Sequence, residues 1–229
     1  MALPASTHNT YESIGNREDL SDIIYKIAPT ETPFISGVEK TKATATNHEW
    51  QTQDLAAAAA NHVLEGDDAT TDAATVTVRL GNICQISDKV ARVTGTQQAI
   101  DKAGRDNEMS YQLALKGQEL KRDMEFIIVG SNTAKVTGGT TTARKLASVL
   151  SWIGTNDAFG GSGASPTALD GTATRTDGTQ RAFQESQLKT VLQSCWTEGG
   201  MPETIMVGGF NKQVFSTFVG RGTPTEDVK

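Results

Sequence analysis

Aromatic residues make up only 6% of this 229-residue chain and apolar residues only 37%. The length allows one large domain or two small ones. A lean apolar share with abundant Gly, Ala and Thr fits long exposed or partner-covered segments better than a compact enzyme. Cysteine is nearly absent: Cys84 and Cys195 stand far apart and lack metal-type spacing. They read as two buried thiols in a reducing compartment rather than a disulfide. No run approaches the ~20 apolar residues of a membrane span. The start, MALPASTHNT, has neither the basic region nor the apolar core of a signal peptide. A soluble chain made in a cytoplasm is expected. Positive charge is also short, with 21 Lys and Arg against 27 Asp and Glu, a net charge of -6. That excludes sequence-specific nucleic-acid binding, which needs a basic surface to displace counterions from phosphate.

Catalytic patterns are missing as well. The three histidines, His8, His48 and His62, form no HExxH pair. His48 and Glu49 with Asp54 and His62 are the nearest approach to a metal cluster, but they sit in a polar stretch where solvated side chains explain them. No GxSxG elbow occurs. GGTTTARK at 138–145 is glycine-rich and basic but lacks phosphate-loop spacing. Phe159–Gly163 has no strand–turn–helix context. Cys195 lies on the apolar face of an expected helix beside Trp196, a poor place for a nucleophile. No catalytic residue, metal or cofactor is expected.

What is present is a series of amphipathic elements. Residues 1–15 are polar and weakly patterned. In NREDLSDIIYKIAPTETPF (16–34), Leu20, Ile23, Ile24 and Ile27 share one helical face. Asn16 can cap that helix, Glu18 and Asp19 suit its positive end, and Pro29 stops it. An extended, proline-bearing strap then runs to residue 36. TKATATNHEWQT alternates as a strand, with His48 and Trp50 on one face and Glu49 and Gln51 on the other. Ala56–Ala60 has helix propensity but no bulk to bury. After the polar turn EGDDATTDAA, Val76, Val78 and Leu80 alternate as a second strand. Residues 41–82 thus predict a long two-stranded ribbon, which is marginal in water without a partner surface.

Residues 83–94 continue as a strand with Ile86, Val90 and Val93 inward, and Thr96 or Asp101 opens a short helix. The strongest element is 106–129. Met109, Leu113, Leu120, Met124 and Ile127 mark one stripe, Asp106 or Asn107 caps the start, and Gly130 marks the stop. About 24 residues make a rod of roughly 36 Å. Its charges suggest pairs of Glu119 with Arg122 and of Lys121 with Glu125. A hairpin turning at Gly138–Gly139 precedes the apolar LASVLSWIG (146–154) and a long small-residue loop at 155–180. A helix over 184–198 puts Leu188, Val191, Leu192, Cys195 and Trp196 on one face and ends at Gly199–Gly200. ETIMVG (203–208) reads as a short buried strand, and 211–218 as a helix with Val214, Phe215 and Phe218 inward.

Four blocks in order, REDLSDIIYKIAPTETPF, NHEWQTQDLAAA, NEMSYQLALKGQELKRDMEFIIVG and LQSCWTEGGMPETIMVG, resemble the major capsid (head) proteins of tailed bacteriophages with the Hong Kong 97-type shell fold. The resemblance implies an α+β fold with an N-terminal arm (1–40), an extended loop (41–82), a peripheral domain with a spine helix near 106–129 (83–150) and an α/β axial domain (151–229). Family members continue with another strand-rich stretch, so the chain ending at Lys229 is expected to be C-terminally short. The implied role is self-assembly, through hexamers and pentamers, into an icosahedral head in the virion around double-stranded DNA. The shell would form in the bacterial cytoplasm, without a membrane and with scaffolding, portal or decoration proteins as further partners. A mildly acidic wall would not glue that DNA down. Ile23, Ile24, Phe34, Trp50 and Arg79 are assigned to subunit contacts. Some such shells crosslink a loop lysine to a neighbour's asparagine. Here Lys40 and Lys42 lie at the ribbon root and the tip has none, so a noncovalent shell is expected. The alternatives are an encapsulin-like nanocompartment shell, told apart by protein rather than nucleic acid inside, and a soluble enzyme or secreted β-rich binding module.

Overall fold

The computed structural model describes Ile24, residues 31–69, 71 and 73–218. The helix expected over 16–28 lies outside the described residues apart from Ile24. The elements in chain order are α1 (Pro33–Gly37), β1 (Asn47–Thr52), β2 (Val78–Ile83), α2 (Gly95–Ala99), α3 (Glu108–Glu125), α4 (Glu185–Thr197) and α5 (Gly209–Phe215). This is a mixed α+β architecture. The chain divides into two units, Met1–Pro33 with Ser87–Asp123, and Phe34–Ile86 with Met124–Lys229.

In the first unit, the short helix α2 is closed at both ends by side chains. The Thr94 hydroxyl accepts the Gln97 N–H at 3.3 Å. The Lys102 ammonium donates to the carbonyls of Gln97, Gln98 and Ile100 at 2.9–3.1 Å, a cation at the negative end of the helix. The cap is therefore Thr94, two residues before the expected Thr96. Helix α3 opens as expected, with Asn107 Oδ1 accepting the Ser110 N–H at 2.9 Å. Glu108 is buried in the first turn. Hydrogen bonds from the Gln112 amide and the Arg105 guanidinium hold its carboxyl below the ordinary range. Arg105 also lies 5.3 Å from the Tyr111 ring centre. Along α3 the ion pairs that form are Lys116–Glu119 at 2.8 Å and Lys89–Asp123 at 2.6 Å. They replace the pairs expected among Glu119, Arg122, Lys121 and Glu125.

The second unit begins with a correction. Residues 33–37 form α1 rather than an extended strap, because Pro33 supplies a pre-set φ at the first helical position. Both oxygens of Glu125, ninety residues on, accept the free N–H groups of that turn: Phe34 at 2.8 Å and Ile35 at 2.9 Å. A carboxylate satisfying the positive end of a helix from another element is a cap that no local pattern reveals.

After α3 the backbone widens into a π-turn, Phe126–Gly130, ended by the Ser131 hydroxyl donating to the Ile127 carbonyl at 2.6 Å. The hairpin at Gly138–Gly139 forms as read: Val136 and Lys145 exchange two 3.0 Å bonds, and Gly138 takes φ +78°. LASVLSWIG returns to the interior, burying Ala147, Ser148 and Ser151. The loop at 155–180 is ordered by hydrogen bonds rather than bulk. Ala164 pairs with Thr176, and the Asn132 amide bonds both the carbonyl (2.8 Å) and N–H (3.2 Å) of Arg175. Helix α4 ends in a Schellman motif, with Gly200 N–H to Cys195 and Gly199 N–H to Trp196, and Gly199 at φ +84°.

Further expectations are overturned. Residues 84–94 form no strand, and Ile86 and Val90 are exposed, because β2 ends at Ile83 and among the described residues no later segment pairs onward. Ala56–Ala60, read as having helix propensity but no bulk to bury, is irregular, which is no departure. Residues 203–208 are an exposed irregular segment, since no described neighbour supplies a ladder. Trp196 is 73% exposed, one position beyond the half-buried Leu188, Val191, Leu192 and Cys195. Both thiols are free and half-buried rather than buried. The helix expected over 211–218 ends at Phe215; Val214 in α5 and Phe218 beyond it are half-buried while Phe215 stays exposed, although its ring meets Phe218 at 5.7 Å.

Replacing Glu125 by Ala removes the acceptor for two helix N–H groups. We expect a loss of about 1–2 kcal/mol, read as a lower urea midpoint, with Glu125→Gln falling between. An unchanged midpoint for the alanine variant would show that the cap contributes nothing.

Candidate functional site

The ribbon formed by β1 and β2 is exposed along β1 and buried at its root, at Gly81 and Ile83. The strands pair antiparallel from Asn47 opposite Ile83 to Thr52 opposite Val78. Twelve residues are thus laddered, far fewer than the expected span of 41–82. Beyond Thr52 only side chains hold the two limbs together. Gln53 Nε2 donates to the Thr75 carbonyl and hydroxyl at 3.1 and 3.0 Å, and the Thr77 hydroxyl donates to Gln51 Oε1 at 2.9 Å. Further out, Leu55, Val63, Leu64 and Val76 are exposed, Leu55 to 96%.

The two faces differ as the alternation foretold. On one, Arg79 reaches diagonally to Glu49 at 3.6 Å, an exposed pair worth little by itself. Gly81 leaves the space for this crossing, because a Cβ there would stand 2.8 Å from Glu49 Cγ. On the other face Trp50 and Asn82 dock onto the 147–152 segment. The Trp50 and Trp152 ring centres are 5.1 Å apart, and His48 lies 6.2 Å from Trp50. The Asn82 amide accepts the Ala147 N–H at 3.0 Å and donates to its carbonyl at 3.2 Å. Lys135 completes the root, donating to the Gly81 carbonyl at 2.8 Å and the Asp170 carbonyl at 2.6 Å. The Thr172 hydroxyl and N–H, and then the Lys135 charge, hold the Asp170 carboxyl below its usual range.

Of the residues assigned to contacts from sequence, Ile24 is exposed and Ile23 lies outside the described residues. Phe34 is half-buried under the Glu125 cap, in the same unit as the ribbon that carries Trp50 and Arg79. Sequence reasoning did not single out Asn82 or Lys135, and it read Glu125 only as a partner of Lys121. Each acts on backbone far along the chain, and only the Gly81–Asn82 pair inside an alternating strand hinted at a special approach. An open cavity of about 340 Å³ lies between α4 and the long loop, walled by Leu150, Ile153, Phe159, Phe183, Leu188 and Val191. Among the described residues no three His, Cys, Asp or Glu side chains gather to hold a metal. No helix there is long and apolar enough to cross a membrane.

The described residues thus present a polar ribbon and a long helix that leaves Met109, Leu113 and Met124 exposed. The family model of the SU10 major capsid protein matches residues 5–229, and the chain belongs to that family. It is a family of bacteriophage capsid proteins, which is not an enzyme class. A curated relative, the major capsid protein of Escherichia phage Phieco32, is 36% identical over 121 residues, 52% of this chain. The matched stretch spans 34% of that relative's length.

Asp170 sets a pH dependence. Its folded pKa is depressed, so its contribution is present above the ordinary value of 3.8 and is lost as pH falls through the lower folded value. Protection of the Thr172 amide, corrected for intrinsic exchange, should therefore fall on acidification below 3.8, and Asp170→Asn should flatten that fall. Equal pH profiles for the two proteins would count against the assignment.

Proposed function

We propose that this chain is a shell subunit that assembles into an icosahedral phage head around double-stranded DNA, with a fold of the Hong Kong 97 type. The observation that carries the reading is the balance of apolar surface. Among the described residues, only Ile35, Ile83 and Ala147 are buried apolar side chains, whereas twenty-four large apolar side chains are exposed. A protein that worked alone would not keep so much apolar surface in water. Burial against many copies of itself removes that surface, and the ordering cost of arm and ribbon is offset only in the assembly.

In this reading residues 1–40 are the arm, 41–82 the extended loop, 83–150 the peripheral domain around α3 and 151–229 part of the axial domain. Ile23, Ile24, Phe34, Trp50 and Arg79 belong to subunit contacts. The net charge of -6 suits a wall that encloses DNA without binding its sequence. Scaffolding, portal and decoration proteins would join in the host cytoplasm.

Arg79→Glu is the sharper probe of the ribbon, because Trp50 also packs inside its own unit. The variant should keep the wild-type circular dichroism and lose no more than about 0.5 kcal/mol of stability yet yield far fewer particles by electron microscopy and sedimentation. Undiminished particles would remove the ribbon from the contact set. Purified particles holding protein instead of nucleic acid would favour a nanocompartment. A small monodisperse species, even when neighbouring genes are co-expressed, would sink the shell reading.

A further inference from the structure

We propose that Lys135 is a positioning residue that ties the ribbon root to the turn at 169–172, making the two segments one joint. Three stretches of the second unit converge on this side chain. Its ammonium donates to the Gly81 carbonyl in β2 at 2.8 Å and to the Asp170 carbonyl at 2.6 Å. It stands 5.8 Å from the centre of the Trp152 ring, which also packs against Trp50 of β1. Its own backbone N–H donates to the Gly171 carbonyl at 2.7 Å.

The neighbouring glycines show how closely the parts fit. Gly171 sits at φ +82°, and a Cβ there would stand 2.6 Å from Trp152. The turn therefore lies flat on the indole that also supports the ribbon. Gly81 is buried against β1 with its carbonyl turned to Lys135. Lys135 is half-buried; its ammonium hydrogen-bonds two neutral carbonyls and faces a ring, and its charge also acts on the Asp170 carboxylate. Those carbonyls belong to segments separated by nearly ninety residues, so losing the ammonium leaves both under-bonded at once. Asn82 grips the same root but on a different partner, Ala147, and has no bond to the 169–172 turn. The two residues thus divide the work: Asn82 joins ribbon to body, and Lys135 joins ribbon to turn. Released from Lys135, the ribbon would leave the body at a different angle while still held at Asn82. This inference stands whether or not the chain builds a shell.

The test is amide hydrogen exchange by mass spectrometry on the full chain, reading peptides from 78–84, from 169–173 and from α4 as reference. Lys135→Met should speed exchange in both of the first two peptides by about threefold or more and leave α4 unchanged. Asn82→Ala should speed 78–84 without touching 169–173. Lys135→Arg, which keeps charge and donors, should restore near wild-type rates in both. The joint is refuted if Lys135→Met changes only one peptide or neither, if α4 accelerates equally, or if Asn82→Ala loosens the turn as well. Lys135→Gln is read by the same criteria should the methionine variant fail to fold.

Discussion

Side-chain hydrogen bonds to distant backbone are what hold this protein together. A chain with so few buried apolar groups cannot rely on a core to exclude water from its loops, yet buried N–H and C=O groups must still find partners. The second unit meets this need with polar side chains that imitate secondary structure. Asn82 exchanges two bonds with Ala147, and Asn132 exchanges two with Arg175, each as a neighbouring strand would. Ser151 donates to the Thr133 carbonyl at 2.7 Å, and the buried Ser148 takes its own N–H to the same carbonyl at 2.9 Å. Glu125 does for α1 what a local cap would do.

This arrangement explains how a small-residue loop such as 155–180 is ordered without a core of its own. Each turn is pinned by one or two polar contacts, and glycines at 160, 171 and 178 allow backbone to approach backbone or indole. It also leaves apolar surface free. Residues of α3 such as Met109 and Leu113, the far limb of the ribbon, and the stretch from Trp196 to Phe215 all keep large apolar side chains in solvent. Economy of internal core and abundance of external apolar surface go together among the described residues: polar contacts shape the turns, and most of the large apolar side chains remain in solvent.

Local signals were read well where local physics decides. The 3.6-residue stripe and Asn107 located α3, the Gly199–Gly200 stop located the end of α4, and the Gly138–Gly139 hairpin and the alternation around Trp50 also survived. The failures share one cause. ETIMVG and residues 83–94 have strand composition, but a strand exists only when another segment offers its edge, and among the described residues none does. Trp196 shows the same limit on a helix, where a shift of one position separates a packed residue from an exposed one. Asn82, Lys135 and Glu125 were illegible because polar residues in ribbons and helices look alike whether they face water or cap a backbone ninety residues away.

The amino-acid sequence by itself determined the acidic balance, the long helix α3 with its Asn107 cap, the Gly199–Gly200 stop of α4, the two-faced ribbon and, through blocks spread along the chain, the kinship to phage capsid proteins. These follow from spacing, backbone restrictions and composition, which act over a few residues or over the whole chain at once. Only the tertiary structure decided which carbonyls Lys135 and Asn82 would hold, that Glu125 would cap α1, and that most large apolar side chains would stay outside. Those outcomes depend on long-range approach, and a side chain's partner is chosen by where the rest of the backbone arrives.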